Sequence, residues 1–119
     1  MANILIVDDD EAIVKLFEQF MVFKGHTVVA KAFDGEQAIK LYKTTQNQLD
    51  IILMDHRMPL KNGVEATKEI LLIDPDCKII FISADYDIRD IALKAGAIEF
   101  LEKPIDFDTL FKLIENYCS

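Results

Sequence analysis

Five short apolar runs recur along this chain at nearly even intervals, and they restrict its fold more than any other feature. They span Asn3–Val7, Thr27–Lys31, Asp50–Met54, Lys78–Ile82 and Ile98–Leu101. The first, third and fourth are almost wholly Ile, Leu, Val, Met or Phe. A strand with one wet face alternates apolar and polar residues, so unbroken runs indicate strands covered on both faces, as in a parallel sheet. The runs start at residues 3, 27, 50, 78 and 98, which are 20 to 28 residues apart. Each gap therefore has room for one helix and two short loops.

The gaps have helical periodicity. Residues 11–24 place Ile13, Leu16, Phe17 and Phe20 on one stripe, the expected core face of the first helix. Val14 and Met21 fall off that stripe, leaving either extra packing under a neighbouring helix or an exposed apolar strip that docks a partner helix. Asp34-Gly35 precedes a second segment with Ala38, Leu41 and Tyr42, and Asn62-Gly63 precedes a third with Val64, Thr67, Ile70 and Leu71. Ile88, Ile91, Ala92 and Ala95 mark a fourth, and Asp106 is placed to cap a fifth with the stripe Phe107, Leu110, Phe111 and Ile114. Gly25 and Gly96 are placed to end the first and fourth helices, and His26 reads as a loop residue.

Strand then helix, five times over, predicts an α/β fold: a five-stranded parallel sheet in a doubly wound, flavodoxin-like architecture. The common five-stranded order is 2-1-3-4-5, with ligands outside the carboxyl ends of strands 1 and 3. The 119 residues fit one domain, 1–119, and 51% hydrophobic content suffices for its core. A net charge of −8 argues against direct nucleic-acid binding and against adhesion to anionic membranes. No apolar stretch approaches the ~20 residues of a membrane span, and no signal peptide is apparent. Cys77 and Cys118 lack metal or CxxC spacing and read as free thiols. A cytoplasmic protein is the expectation.

In such a sheet, the residues just beyond the runs gather at one edge. Asp8-Asp9-Asp10 come after the first run, Asp55 after the third, Ser83 after the fourth and Lys103 after the fifth. Separately, these residues have ordinary explanations as helix caps and loop charges. Together they form a site. Two carboxylates ~4 Å apart repel by roughly 4 kcal/mol at an effective dielectric near 20, so a cation is expected among them. Hard oxygen ligands suit Mg²⁺ or Mn²⁺. Asp55 is then a candidate nucleophile for an aspartyl phosphate, with Lys103 neutralising charge and the Ser83 hydroxyl donating to a phosphoryl oxygen.

These residues resemble the receiver domain of two-component response regulators over essentially the whole chain. The matching pieces are Ile4-Leu5-Ile6-Val7-Asp8-Asp9-Asp10, Asp34-Gly35-Glu36-Gln37-Ala38, Asp55-His56-Arg57-Met58-Pro59 with Gly63, Ser83-Ala84, and Gly96-Ala97 leading to Lys103-Pro104. The resemblance implies a stand-alone receiver of the chemotaxis or sporulation-phosphorelay type. It further implies that Asp55 is the phosphoacceptor for a sensor histidine kinase or histidine phosphotransfer protein. Asp9, Asp55 and the backbone carbonyl of Arg57 would ligate Mg²⁺ directly, and Asp8 mainly through water, while Asp10 belongs to the helix start. Ser83 would be the switching hydroxyl and Lys103 the ion-pair partner, with a cis bond to Pro104. Phe100 stands where many members carry a switch aromatic, often Tyr; it is either that switch, without a hydroxyl, or a core aromatic. Arg57 and Asp85 occupy positions that modulate hydrolysis of the phosphoryl group, and they either pair across the site mouth or stay solvated. His56 is expected to point away from the acceptor. The first helix would meet the phosphodonor. Helix 4, strand 5 and helix 5 would signal to a downstream effector through residues such as Tyr86, Arg89, Lys94, Glu99 and Asp108. The protein would be a monomer or a phosphorylation-dependent dimer.

Other readings fit less well. A haloacid dehalogenase-type hydrolase carries Asp-x-Asp, whereas Asp55-His56-Arg57 has no second Asp. A flavodoxin-like cofactor binder needs a phosphate loop where Asp8-Asp9-Asp10 would repel phosphate. A pure docking module usually lacks one of the key residues.

Overall fold

In a computed structural model, which describes residues 1–118, strand and helix alternate through the chain. The strands are β1 (Asn3–Val7), β2 (Thr27–Ala32), β3 (Ile51–Met54), β4 (Ile79–Ser83) and β5 (Glu99–Glu102). The helices are α1 (Glu11–Phe23), α2 (Gly35–Thr45), α3 (Gly63–Ile73), α4 (Arg89–Ala95) and α5 (Phe107–Cys118). All four strand pairings are parallel and the sheet order is β2-β1-β3-β4-β5, as the sequence predicts. Strand boundaries shift by at most one residue; Ser83 is the last residue of β4 rather than the first beyond it.

The sheet direction explains the two helix layers. Parallel crossovers are right-handed. The step from β1 to β2 runs opposite to the later steps, so α1 lies on one face and α2, α3 and α4 on the other. Alternate residues of each strand then face different cores. Leu5, Val7, Ile52, Met54, Ile79 and Phe81 pack with Ala38, Tyr42, Ile70 and Ala92. Ile4, Ile6, Leu53, Ile80 and Ile82 pack with Val14, Phe17, Met21, Leu110 and Ile114. Thus α5 shares the α1 face.

Most helix starts follow the predicted chemistry. Asp10 Oδ1 accepts from Ala12 N–H at 2.9 Å and Asp34 Oδ1 from Gln37 N–H at 2.8 Å. Asn62 forms a capping box with Glu65, and Asp106 accepts from Asp108 N–H at 3.0 Å. Gly25 and Gly96 follow α1 and α4 with φ of 88° and 118°, a region in which a side chain would be strained. The fourth segment is shorter than its periodicity indicates. Tyr86–Ile88 form a 3-10 turn, α4 begins at Arg89, and Ile91 is exposed.

On α1 one open alternative is decided and one expectation is overturned. Val14 and Met21 are packed, not an exposed strip; with Phe17 they are the buried face, at 1%, 0% and 7% exposure. Leu16 and Phe20, assigned to the core stripe, are exposed, and Ile13 is half-buried. Ile13, Leu16, Phe17 and Phe20 do share one helical stripe, but Val14, Phe17 and Met21 form an adjacent one, and only the neighbouring β-sheet decides which of the two is covered. His26 is also more than a loop residue. It is buried, and its Nδ1 accepts from Ala2 N–H at 3.0 Å, tying the start of β1 to the end of α1.

That bond requires a neutral imidazole acceptor. Burial, reinforced by the N-terminal ammonium and opposed by Glu115, holds the His26 pKa below 6.5. A lowered imidazole pKa means that the folded state resists a proton the unfolded chain accepts. Its stabilisation is complete above pH 6.5 and is lost as pH falls through 6.5 toward the folded value. The stability gap between wild type and His26→Gln is therefore expected to shrink between pH 7.5 and 5.5 in urea titrations. A gap that stays constant would contradict this linkage.

Candidate functional site

The carboxyl ends of β1 and β3 are adjacent, and the ladder continues one residue past both. Asp55 N–H donates to Val7 C=O at 2.9 Å and Asp8 N–H to Ala32 C=O at 3.1 Å. This fixes the backbone beneath two carboxylates that are themselves buried, at 5% and 8% exposure for Asp8 and Asp55. Lys103, just beyond β5, is held by its N–H donating to Ser83 C=O at 2.9 Å. Its Nζ donates to Asp8 Oδ2 at 2.8 Å and to Asp55 Oδ1 at 3.4 Å. The other Asp8 oxygen accepts from Asp10 N–H at 3.0 Å. The Lys103–Pro104 peptide is cis.

Asp9 is exposed and brings a third carboxylate. One oxygen from each of Asp8, Asp9 and Asp55 lies within 4.8 Å of the others. A single ammonium does not balance three such groups. Burial and the adjacent Asp8 charge push the Asp55 pKa up to about 6, against the opposing pull of Lys103. Burial disfavours the Lys103 charge, but bonding to Asp8 and the charges of Asp55 and Asp8 outweigh it, so its pKa is raised. A donor set of hard, crowded oxygens with unrelieved negative charge fits a small divalent cation such as Mg²⁺ or Mn²⁺.

These groups line an open cleft of about 690 Å³ that also includes Ile13, Arg57, Ser83, Asp85 and Tyr86. Ser83 is buried and its Oγ accepts from Asp85 N–H at 3.0 Å, leaving the hydroxyl hydrogen free to turn. Arg57 Nη2 donates to Asp85 Oδ2 at 3.1 Å, so the two charges pair across the cleft. The guanidinium is largely exposed, and such a pair adds only ~0–1 kcal/mol to stability. His56 lies outside the cleft lining, with its ring 6.1 Å from Phe81 and its Nδ1 buried without a partner among the described residues. Burial, opposed by the Asp85 charge, holds its pKa below the usual imidazole value.

Phe100 is half-buried and belongs to an aromatic row. Its ring stacks 6.4 Å from Phe81 and meets Tyr86 edge-on at 6.0 Å. Sequence reasoning placed Tyr86 on an output surface but missed that it also lines the cleft. The available signal was an aromatic three residues beyond Ser83, although its direction depends on the 3-10 turn. Arg89, Lys94 and Asp108 are exposed, whereas Glu99 is half-buried and accepts from the Tyr117 hydroxyl at 2.8 Å.

The sequence matches the response regulator receiver domain family over residues 4–115. Chemotaxis protein CheY of Bacillus subtilis is 37% identical over 116 residues, covering 96% of this chain and 95% of that protein. CheY of Thermotoga maritima is 39% identical over 104 residues, covering 86% and 85%. In the CheX–CheY–BeF3–Mg²⁺ complex from Borrelia burgdorferi, a chain superimposes with a TM-score of 0.91 at 30% identity, covering 99% of this chain and 90% of that one. This chain belongs to the receiver domain family, the signalling module of two-component systems. No helix among the described residues is long and apolar enough to cross a membrane.

The raised Asp55 pKa has a stability consequence. Between pH 4 and 6 the folded state keeps a proton that the unfolded chain has released, so an ionised Asp55 penalises folding above pH 6. With EDTA present, Asp55→Asn is expected to stabilise the fold by about 1–3 kcal/mol at pH 7.5. That gain should fade toward pH 4. Denaturant titrations across this range check it, and a gain independent of pH would contradict the assignment.

Proposed function

We propose that this chain is a phosphorylation-controlled receiver. Asp55 accepts a phosphoryl group from a phosphohistidine on a sensor histidine kinase or histidine phosphotransfer protein. The observation that carries this reading is the convergence of Asp8, Asp55 and Lys103 within hydrogen-bond distance, beside Asp9, at the switch point of the sheet. Mg²⁺ or Mn²⁺ would be held by Asp8, Asp9, Asp55 and the backbone carbonyl of Arg57. When bound, the cation neutralises charge on the phosphoryl oxygens. Two similar structures, the Borrelia burgdorferi complex and TrrA from Thermotoga maritima, contain Mg²⁺ with a beryllium fluoride, which supports this assignment.

The protein's own groups divide the remaining work. A carboxylate oxygen of Asp55 attacks phosphorus while the P–N bond to histidine breaks, and the electron pair leaves with the imidazole. Lys103 shifts from Asp55 toward a phosphoryl oxygen. The Ser83 hydroxyl turns to donate to another. The space it vacates draws on the row Phe81–Phe100–Tyr86, so readout at the α4–β5–α5 face proceeds by packing. This face then acts on a downstream effector protein. The Arg57–Asp85 pair closes part of the mouth and restricts the water that hydrolyses the aspartyl phosphate. The free thiols Cys77 and Cys118 suit a reducing cytoplasm.

Incubation with acetyl phosphate and Mg²⁺ is expected to add one labile phosphoryl group, seen by mass spectrometry, on wild type but not on Asp55→Asn or in EDTA. Arg57→Ala should shorten its lifetime severalfold. A stable adduct on Ser83 or His56 would defeat the assignment, and an unchanged lifetime would remove the role of the pair.

The donor has a surface to meet. Leu16 and Phe20 are exposed on α1, and Ile13, one turn before Leu16, lines the cleft itself. Their 3- and 4-residue spacing is that of a helix–helix seam, and Phe20 is braced by stacking on Phe107 at 4.2 Å. A donor helix lying along this seam carries its phosphohistidine to Asp55. Leu16→Glu should slow transfer from a phosphorylated histidine phosphotransfer domain at least tenfold while leaving acetyl phosphate labelling intact. Equal loss with both donors would argue against docking here.

A further inference from the structure

Between Asp55 and α3 runs a loop with very little freedom. Lys61 N–H donates to Pro59 C=O at 2.8 Å, closing a γ-turn around Leu60, whose φ is 68°. A turn of this hand is strained for a residue with a side chain and persists only where its surroundings enforce it. Two glycines supply that enforcement. Gly35 N–H donates to Lys61 C=O at 3.1 Å, and a Cβ on Gly35 would collide with the Lys61 backbone. Gly63 N–H donates to His56 C=O at 2.9 Å, and a Cβ on Gly63 would collide with the Asp55 carbonyl oxygen and lie 2.8 Å from Phe81 Cζ.

We infer that Gly63 is a positioning residue for Asp55: its bare backbone sets the height of the Asp55 peptide and thereby the aim of the carboxylate. This rests on the reading of Asp55 as a cation ligand and phosphoacceptor. The physical reason is that the Asp55 peptide is fixed on both sides. Its N–H is bound to Val7, and its carbonyl abuts Gly63. On the far side α3 is anchored by the buried Val64, Ala66 and Ile70 and by the Asn62–Glu65 capping box. A methyl group at position 63 has to displace the Asp55 carbonyl, the Phe81 ring or α3. The backbone carbonyl has no rotamer by which to yield. Because three carboxylate oxygens converge within 4.8 Å, a shift of the Asp55 peptide moves one ligand off the common point. Phe81 begins the aromatic row, so the same contact also ties the acceptor to the proposed readout.

The test uses the full chain and Mg²⁺ as the probe, followed by calorimetric titration of the unphosphorylated protein. Gly63→Ala is expected to weaken Mg²⁺ binding at least about tenfold, the scale seen when groups that orient metal ligands are altered. Gly96→Ala serves as the reference for lost stability. It strains a positive-φ position and crowds Leu71, remote from Asp55 in the chain and outside the cleft lining, so it should lower the melting temperature and leave Mg²⁺ affinity unchanged. Should Gly63→Ala fail to fold, Gly63→Ala in a Phe81→Leu background makes room on the ring side while keeping the carbonyl clash. It should still bind Mg²⁺ about tenfold more weakly than Phe81→Leu alone. Affinity within twofold of the matching reference overturns the inference while leaving the phosphoacceptor reading intact. If wild type binds no Mg²⁺ and gains no adduct on Asp55, both fall together.

Discussion

Lys103 bridges two carboxylates that would otherwise repel each other inside a folded protein, and the site is organised around that bridge. Its Nζ reaches Asp8 at 2.8 Å and Asp55 at 3.4 Å from the end of the strand farthest from β2. The attraction does not fully balance the pair, because Asp55 still has a pKa pushed up to about 6. The residual imbalance gives the site its chemistry. An excess of negative charge fixed by backbone hydrogen bonds favours a divalent cation, and a lysine shared between two acceptors can be drawn to a third.

The sheet supplies the geometry that this balance needs. The ladder runs one residue beyond β1 and β3, so Asp8 and Asp55 start from neighbouring, hydrogen-bonded backbone positions. Ser83 closes β4 and its carbonyl holds the Lys103 N–H. The core makes the same edge rigid. Leu5, Val7, Met54 and Phe81 pack on one side of the sheet and Ile6, Leu53 and Ile82 on the other. By contrast, α4 is short and lacks a side-chain N-cap bond, with Ala92 its one buried residue. The best-secured elements thus lie under the carboxylates and the least-secured helix lies on the proposed output face, an arrangement suited to a local charge event with a surface readout.

Sequence by itself determined the alternation of elements, the parallel sheet and the edge on which Asp8, Asp9, Asp55, Ser83 and Lys103 assemble. The reason is that strand burial, helix capping and the right-handed crossover are local or topological rules that composition and spacing express directly. Tertiary structure decided what depends on neighbours distant in sequence. It selected Val14, Phe17 and Met21 as the buried face of α1, because several helical faces carried enough apolar residues and only the sheet chose among them. It turned His26 into an acceptor for Ala2, a contact between residues 24 apart. It joined Arg57 to Asp85 and set Phe100 between Phe81 and Tyr86, because side-chain direction at a strand end or a 3-10 turn follows from backbone torsions that no residue pattern encodes. It also revealed why position 63 has no side chain, since the carbonyl that would clash with one belongs to Asp55 itself.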